Sequence, residues 1–148
     1  MSASVLIVED TKVFANMLKR RIEQDLGLST YLVASYQEAK ELLDLRSTYE
    51  RAGFDVALLD LTLPDCAEGA IVDLVAPLIP SIVFTGNMNA ELHERIWGKR
   101  IADYVLKEGA HSIDYILALI TRLLKNKDIE VLCVDDSVMA LNMVARLL

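Results

Sequence analysis

Three carboxylic acids, a hydroxyl and an amine stand at or just after the ends of short apolar runs in this sequence. In chain order they are Glu9, Asp10, Asp60, Thr85 and Lys107. Carboxylates that lie close together repel one another, and a hard divalent cation such as Mg²⁺ removes the conflict. One carboxylate is then left as a nucleophile toward phosphorus, while the metal and Lys107 spread the charge of a phosphoryl group and Thr85 offers its hydroxyl. The set therefore indicates phosphoryl transfer onto a carboxylate.

These side chains meet only if the runs that precede them are parallel strands of one sheet. The apolar runs are 5–8, 31–34, 54–59, 81–84 and 102–106, and a segment with helical spacing of apolar residues follows each of them. Strand and helix thus alternate five times, which predicts a doubly wound α/β domain with a five-stranded parallel sheet and helices on both faces. In such sheets, ligands bind at the carboxyl ends of the strands.

Composition narrows the functional classes. Of the 148 residues, 53% are hydrophobic and 25% charged, which is typical of a folded domain. The net charge of −7 argues against direct nucleic-acid binding and against binding to an anionic membrane. Cys66 and Cys133 match no metal-ligand spacing, and no targeting segment or membrane span is recognisable, so we expect a cytoplasmic protein.

The last part of the sequence repeats the first. Residues 5–22 and 131–148 align at a constant offset, with identical residues at seven positions. The identical pairs are Val5/Val131, Leu6/Leu132, Val8/Val134, Asp10/Asp136, Asn16/Asn142, Met17/Met143 and Arg20/Arg146. An offset of domain size suggests tandem copies. We therefore predict a domain at 1–125, a linker at 126–129, and at 130–148 a truncated second domain with a sixth strand and part of a helix.

Four motifs taken together resemble the receiver domain of two-component response regulators. They are Val-Leu-Ile-Val-Glu9-Asp10, Leu-Leu-Asp60-Leu-Thr-Leu-Pro64, Phe-Thr85-Gly86 and Tyr104-Val-Leu-Lys107. The resemblance runs from about residue 4 to 125 and restarts at about 130, as in the first of two tandem receivers. It implies the flavodoxin-like strand order 2-1-3-4-5.

The resemblance also implies roles for the site residues. Asp60 would accept a phosphoryl group from the phosphohistidine of a sensor histidine kinase or a phosphotransfer protein. Asp10, Asp60 and the backbone carbonyl of Thr62 would hold Mg²⁺ directly, and Glu9 would act mainly through metal-bound water. Lys107 would pair with the phosphate.

A phosphorylation switch is implied as well. Thr85 would swing toward the phosphoryl oxygen, and Tyr104 would move between outward and inward positions, which would change a partner-binding surface. At most, such a domain phosphorylates and dephosphorylates itself. Any enzymatic output domain, such as a diguanylate cyclase, would lie beyond residue 148 of the full-length chain.

Three departures from the family pattern are visible. Glu108 stands where the family usually has proline, so the usual cis peptide after the lysine is not expected. The segment 64–69 is one residue longer than the pattern, which predicts a loop of different shape beside Asp60. Residues 46–53 are polar and long for a connection, which predicts a longer second helix or a longer exit from it.

Two other functions remain open from the residues. The chain could be a degenerate receiver that serves only for docking or dimerisation, although neither the acceptor nor the lysine is lost. It could also be a phosphohydrolase of the haloacid dehalogenase-like type, which carries Asp-x-Asp, but position 62 is threonine.

The end of the chain carries a prediction of its own. A helical stripe of Val138, Leu141, Val144 and Leu148 would be left uncovered by the truncated second domain. Apolar surface of this kind tends to find a partner. We expect it to pack on its own receiver or on a second copy in a homodimer.

Overall fold

Strands and helices alternate along most of the chain. The computed structural model describes residues 3–47, 53–96 and 98–147. The strands are β1 (Ser4–Val8), β2 (Ser29–Val33), β3 (Val56–Leu59), β4 (Ser81–Thr85) and β5 (Ile101–Leu106). The helices are α1 (Lys12–Leu26), α2 (Tyr36–Ser47), α3 (Ala70–Val75), α4 (Ala90–Ile96), α5 (Ala110–Asn126) and α6 (Val138–Leu147).

The five strands form one sheet in the order β2-β1-β3-β4-β5, and every neighbouring pair is parallel. The predicted doubly wound fold and its strand order are confirmed. Because the strands are parallel, their carboxyl ends share one edge of the sheet. The register sets Val8 beside Leu59 and Thr85 beside Leu106, so the strand ends are nearly level there.

Apolar side chains cover both faces of the sheet. Within β1, Leu6 and Val8 belong to a cluster formed with α3 and α4, while Val5 and Ile7 belong to a cluster formed with α1 and α5. All four side chains are at most 1% exposed. A strand that is buried on both faces needs a continuous apolar run, and this is why the runs in the sequence predicted a helix-covered parallel sheet.

The predicted sixth strand is wrong. Residues 131–135 have no regular secondary structure, whereas the predicted helix after them is present as α6. A strand is stabilised by hydrogen bonds to a neighbouring strand, and none of the described strands pairs with this run. Leu132 is 88% exposed and Val134 is 85% exposed, although their counterparts Leu6 and Val8 are buried.

The apolar stripe of α6 is largely exposed, so the predicted packing on the first domain is not confirmed. Val138 is 72% exposed and Val144 is 38% exposed, while Leu141 is half-buried. Leu148 lies outside the described residues. Packing on a second copy stays a prediction.

The departures from the family pattern have visible outcomes in two places. All peptide bonds of the described residues are trans, including the bond between Lys107 and Glu108. Helix α2 extends to Ser47, and residues 48–52 of the long connection lie outside the described residues.

Across the described ranges, the structure contains no helix with the length and apolar character needed to cross a membrane.

Gly69, at the N-terminus of α3, should be less tolerant of substitution than Gly27, at the end of α1. Both have positive φ, +78° and +66°. A Cβ at Gly69 would lie 2.9 Å from the buried Leu92 Cδ1 and 2.8 Å from Arg95 Nη2, whereas nothing lies within 4 Å at Gly27. Gly27→Ala should lower the free energy of unfolding by about 1 kcal/mol, because alanine is disfavoured at positive φ. Gly69→Ala should cost about 2–3 kcal/mol, because the clash adds to that effect.

Urea denaturation of the two variants measures the difference in the free energy of unfolding. Equal losses would show that the crowding around Gly69 is relieved without cost.

Candidate functional site

The site residues continue the hydrogen-bond ladders of the sheet beyond the ends of its strands. The backbone N–H of Asp60 donates to the carbonyl of Val8 (2.9 Å), and that of Lys107 donates to the carbonyl of Thr85 (2.9 Å). The N–H of Glu9 donates to the carbonyl of Val33 (3.0 Å). These residues are therefore held by β-sheet geometry and not by a loop, so their side chains start from fixed positions on one edge.

Lys107 is shared between two buried carboxylates. Its Nζ lies 2.6 Å from Glu9 Oε2 and 2.6 Å from Asp60 Oδ2. Glu9 is 4% exposed and Asp60 is 5% exposed. Burial raises the pKa of Glu9 above its ordinary value, while the hydrogen bond and charge of Lys107 act in the opposite direction. One ammonium thus faces two carboxyl groups, so the buried acidic side chains outnumber the cation that pairs with them.

Two aromatic rings border the ammonium. Lys107 Nζ lies 4.9 Å from the ring centroid of Phe14 on α1 and 5.5 Å from that of Phe84 on β4. The two rings meet edge to face, with their centroids 5.9 Å apart. A ring face attracts a cation, so these side chains restrict the lysine to the edge occupied by the carboxylates.

The acidic side chains suit a hard divalent cation. One carboxylate oxygen from each of Glu9, Asp10 and Asp60 lies within 4.8 Å of the other two. Among the described residues, these three form a group of potential metal ligands. Glu9 Oε1 accepts the N–H of Thr11 (3.0 Å), and Asp60 Oδ1 accepts the N–H of Thr62 (3.1 Å). Asp10 is exposed. An all-oxygen, partly open set of this kind fits Mg²⁺, which keeps several of its waters.

Thr85 and Tyr104 are near the site but make other contacts. Thr85 is fully buried, and its hydroxyl donates to the carbonyl of Asn87 (3.2 Å). The Tyr104 hydroxyl donates to the carbonyl of Ile96 in α4 (3.2 Å), and its ring lies 5.4 Å from the ring of His93. Burial raises the pKa of Tyr104. The structure thus brings Glu9, Asp10, Asp60 and Lys107 together, while Tyr104 is bonded to α4.

The contacts that support the site could not be predicted from the residue pattern. Phe14 has the spacing of an ordinary core position in a helix, and Thr11 supplies a backbone group that no side-chain pattern reveals. The contacts of Asp65 with the N–H groups of Tyr36 and Gln37 at the start of α2 were not predicted either, although segment 64–69 is one residue longer than the family pattern.

Two solved structures resemble the whole chain. A putative two-component system response regulator/GGDEF domain protein is 31% identical with a TM-score of 0.76, and a probable protein of the same description is 30% identical with a TM-score of 0.73. Each match covers 99% of this chain. The chain spans only 59% of the length of each of these relatives.

A receiver domain structure agrees with the fold. The non-phosphorylated HemR receiver domain from Leptospira biflexa matches 89% of this chain and 99% of its own, with 22% identity and a TM-score of 0.68. Neither a protein-family model nor a curated protein matches the sequence.

Loss of the lysine should strongly destabilise the fold in the absence of divalent cations. Lys107→Met keeps an unbranched side chain but leaves Glu9 and Asp60 buried without a counter-charge. We expect the free energy of unfolding to fall by about 3 kcal/mol in buffer with a chelator.

Lys127→Met is the matched control, because Lys127 is 57% exposed and lies 3.9 Å from Asp55. It should change stability by less than about 0.5 kcal/mol. Similar losses of unfolding free energy for the two substitutions in urea denaturation would mean that Glu9 and Asp60 do not need the charge of Lys107 to stay buried.

Proposed function

We propose that this chain, a response regulator receiver domain in its fold and its sequence similarity, is a switch that accepts a phosphoryl group on Asp60 in a Mg²⁺-dependent reaction. One observation carries the proposal. The carboxylate of Asp60 is held on both oxygens, by Lys107 Nζ at 2.6 Å and by the N–H of Thr62 at 3.1 Å, beside two further acidic side chains. A carboxylate fixed in this way presents an oxygen nucleophile in a defined direction.

The transfer itself requires only one bond to form and one to break. An oxygen of the Asp60 carboxylate bonds to phosphorus, and the bond from phosphorus to the histidine nitrogen of a sensor kinase or phosphotransfer protein breaks, with its electron pair left on that nitrogen. Bound Mg²⁺ would neutralise charge on the phosphoryl oxygens. Asp10, Asp60 and the carbonyl of Thr62 are the groups that we propose hold it, with Glu9 acting through water.

Lys107 would exchange one of its two partners when the phosphoryl group is transferred. Before transfer, its ammonium is divided between Glu9 and Asp60. Transfer replaces the charge of Asp60 with that of a phosphoryl group, which has three acceptor oxygens. The lysine can therefore turn to a phosphoryl oxygen while it keeps its contact with Glu9, so the product is stabilised without a new cation.

Thr85 and Tyr104 are the residues that we propose transmit the change. The Thr85 hydroxyl would leave the carbonyl of Asn87 for a phosphoryl oxygen, since a charged acceptor gives the stronger hydrogen bond. Tyr104 already contacts α4 through Ile96. A shift of this ring would alter the surface formed by α4, β5 and α5, and would so select a partner.

The output domain is proposed to lie in the same full-length chain. Two relatives are named as response regulator/GGDEF domain proteins, and a diguanylate cyclase remains our proposal for the output. The receiver itself would then have no enzymatic output of its own. Its partners would be a kinase or phosphotransfer protein in the cytoplasm, a compartment in keeping with two free cysteines.

Residues 126–129 are proposed to link this receiver to the start of a second one at 130–148. The local structure supports the repeat. Helices α1 and α6 begin at equivalent positions, and the N–H of Ser137 donates to Asp135 Oδ1 (2.7 Å) just as that of Thr11 donates to Glu9 (3.0 Å). The exposed apolar residues of this segment would be covered by the rest of the second domain or by a second copy in a homodimer.

Acetyl phosphate, a small phosphoryl donor, tests the acceptor directly. Wild-type protein should gain one phosphoryl group in the presence of Mg²⁺ and none in its absence, as measured by intact-protein mass spectrometry. Asp60→Asn should gain none, because an amide oxygen is a poor nucleophile. Asp136→Asn, in the repeat segment, should behave like wild type.

No adduct on wild-type protein would favour a degenerate receiver that serves for docking. Steady turnover of a generic phosphate ester would favour the phosphohydrolase instead.

Magnesium affinity tests the metal site separately from the chemistry. Asp10→Asn removes one charged ligand and should weaken Mg²⁺ binding by at least about tenfold in calorimetric titration. Asp136→Asn is again the matched control, since Asp136 aligns with Asp10 but belongs to no group of three acidic ligands among the described residues. An unchanged dissociation constant in Asp10→Asn would contradict the ligand assignment.

A further inference from the structure

Asp65 connects the loop beside the acceptor to a helix that lies elsewhere in the sequence. This acceptor loop, residues 61–69, joins β3 to α3. Asp65 Oδ1 accepts the backbone N–H of Tyr36 (2.9 Å), and Oδ2 accepts that of Gln37 (2.9 Å), both in the first turn of α2. The carboxylate thus binds two neighbouring N–H groups at once across 29 and 28 positions of sequence.

Helix α2 already has a cap from its own sequence. The N–H of Glu38 donates to Ser35 Oγ (3.1 Å), and the N–H of Ala34 donates to Glu38 Oε2 (2.8 Å). This local arrangement leaves the N–H groups of Tyr36 and Gln37 without intrahelical partners, as at any helix start. Asp65 therefore supplies what the local cap does not, and its negative charge is favoured at that end of the helix.

The rest of the acceptor loop is anchored at its base and on the side of α4. The N–H of Gly69 donates to the carbonyl of Leu61 (2.8 Å), which closes the base, and Leu63 is buried. Arg95 of α4 donates to the carbonyl of Glu68. Asp65 makes the corresponding contact on the side of α2, so the exposed part of the loop is held between two helices.

We infer that Asp65 is a positioning residue that acts through Thr62, and this inference rests on the proposed function of the site. Thr62 is the third residue before Asp65, its side chain is exposed, and its N–H holds Asp60 Oδ1 at 3.1 Å. The direction of the Thr62 N–H and carbonyl depends on the path of the loop, and that path is fixed on the α2 side by Asp65.

The lowered pKa of Asp65 agrees with this arrangement. The hydrogen bonds from Gln37 and Tyr36 favour the charged form, so the carboxylate stays ionised under neutral conditions and keeps both bonds.

The experiment compares two ways of weakening the same helix end. Asp65→Ala removes the contact between loop and helix, whereas Ser35→Ala removes a cap bond of α2 and leaves the loop contact intact. Mg²⁺ dissociation constants from calorimetry and amide hydrogen exchange of peptides that cover residues 61–69 are measured for wild type and both variants. Asp65→Ala should weaken Mg²⁺ binding about tenfold and speed exchange in the loop. Ser35→Ala should leave both near wild type.

Asp65→Asn is an intermediate variant that should keep one of the two hydrogen bonds. Its amide oxygen can accept only at one end, so its Mg²⁺ affinity and loop exchange should fall between those of wild type and Asp65→Ala.

Two results would overturn the inference. Asp65→Ala could bind Mg²⁺ as tightly as wild type, or Ser35→Ala could lose as much affinity, which would reduce the role of Asp65 to the stability of α2. Failure of the proposed function is recognised on wild-type protein alone, as the absence of both Mg²⁺ binding and the phosphoryl adduct, and it would overturn the positioning role as well.

Discussion

The ammonium of Lys107 between the carboxylates of Glu9 and Asp60 is the contact around which this domain is arranged. Both acids are at most 5% exposed, and each lies 2.6 Å from the lysine nitrogen. Buried charges are tolerated only when they are paired and hydrogen-bonded. The three residues directly follow β1, β3 and β5. Strand β4 lies between β3 and β5, so the sheet must bring the carboxyl ends of three strands to one edge for this pairing to exist.

The elements around the charge group restrict how it can respond. Phe14 and Phe84 border the ammonium, and the N–H groups of Thr11 and Thr62 each hold one carboxylate oxygen. Only Asp10 of the acidic set faces solvent. A ligand therefore has one polar side from which to approach, and any charge that it brings must be balanced by a group that is already in place.

The chemistry of the site followed from residue types at strand ends, because parallel strands leave their carboxyl ends on one edge whatever their sequence separation. Glu9, Asp10, Asp60 and Lys107 were identified in that way. The contact of Asp65 with α2 could not be, since it joins a loop to backbone N–H groups that carry no sequence signal. The hydrogen-bond partners of Thr85 and Tyr104 could not be predicted either, because they depend on how α4 and the loop before it pack on the sheet.

Segments 5–22 and 131–148 are similar in sequence, and they fold alike only where their hydrogen bonds join residues that are close in the chain. In both segments an acidic side chain accepts an N–H two residues later and a helix begins at the equivalent position, because these hydrogen bonds join neighbours in the chain. The apolar run differs. Val5 to Val8 form a buried strand between β2 and β3, whereas 131–134 form none. Strand hydrogen bonds need partners from distant segments of the chain. An apolar run therefore forms a strand only where the fold places other strands beside it.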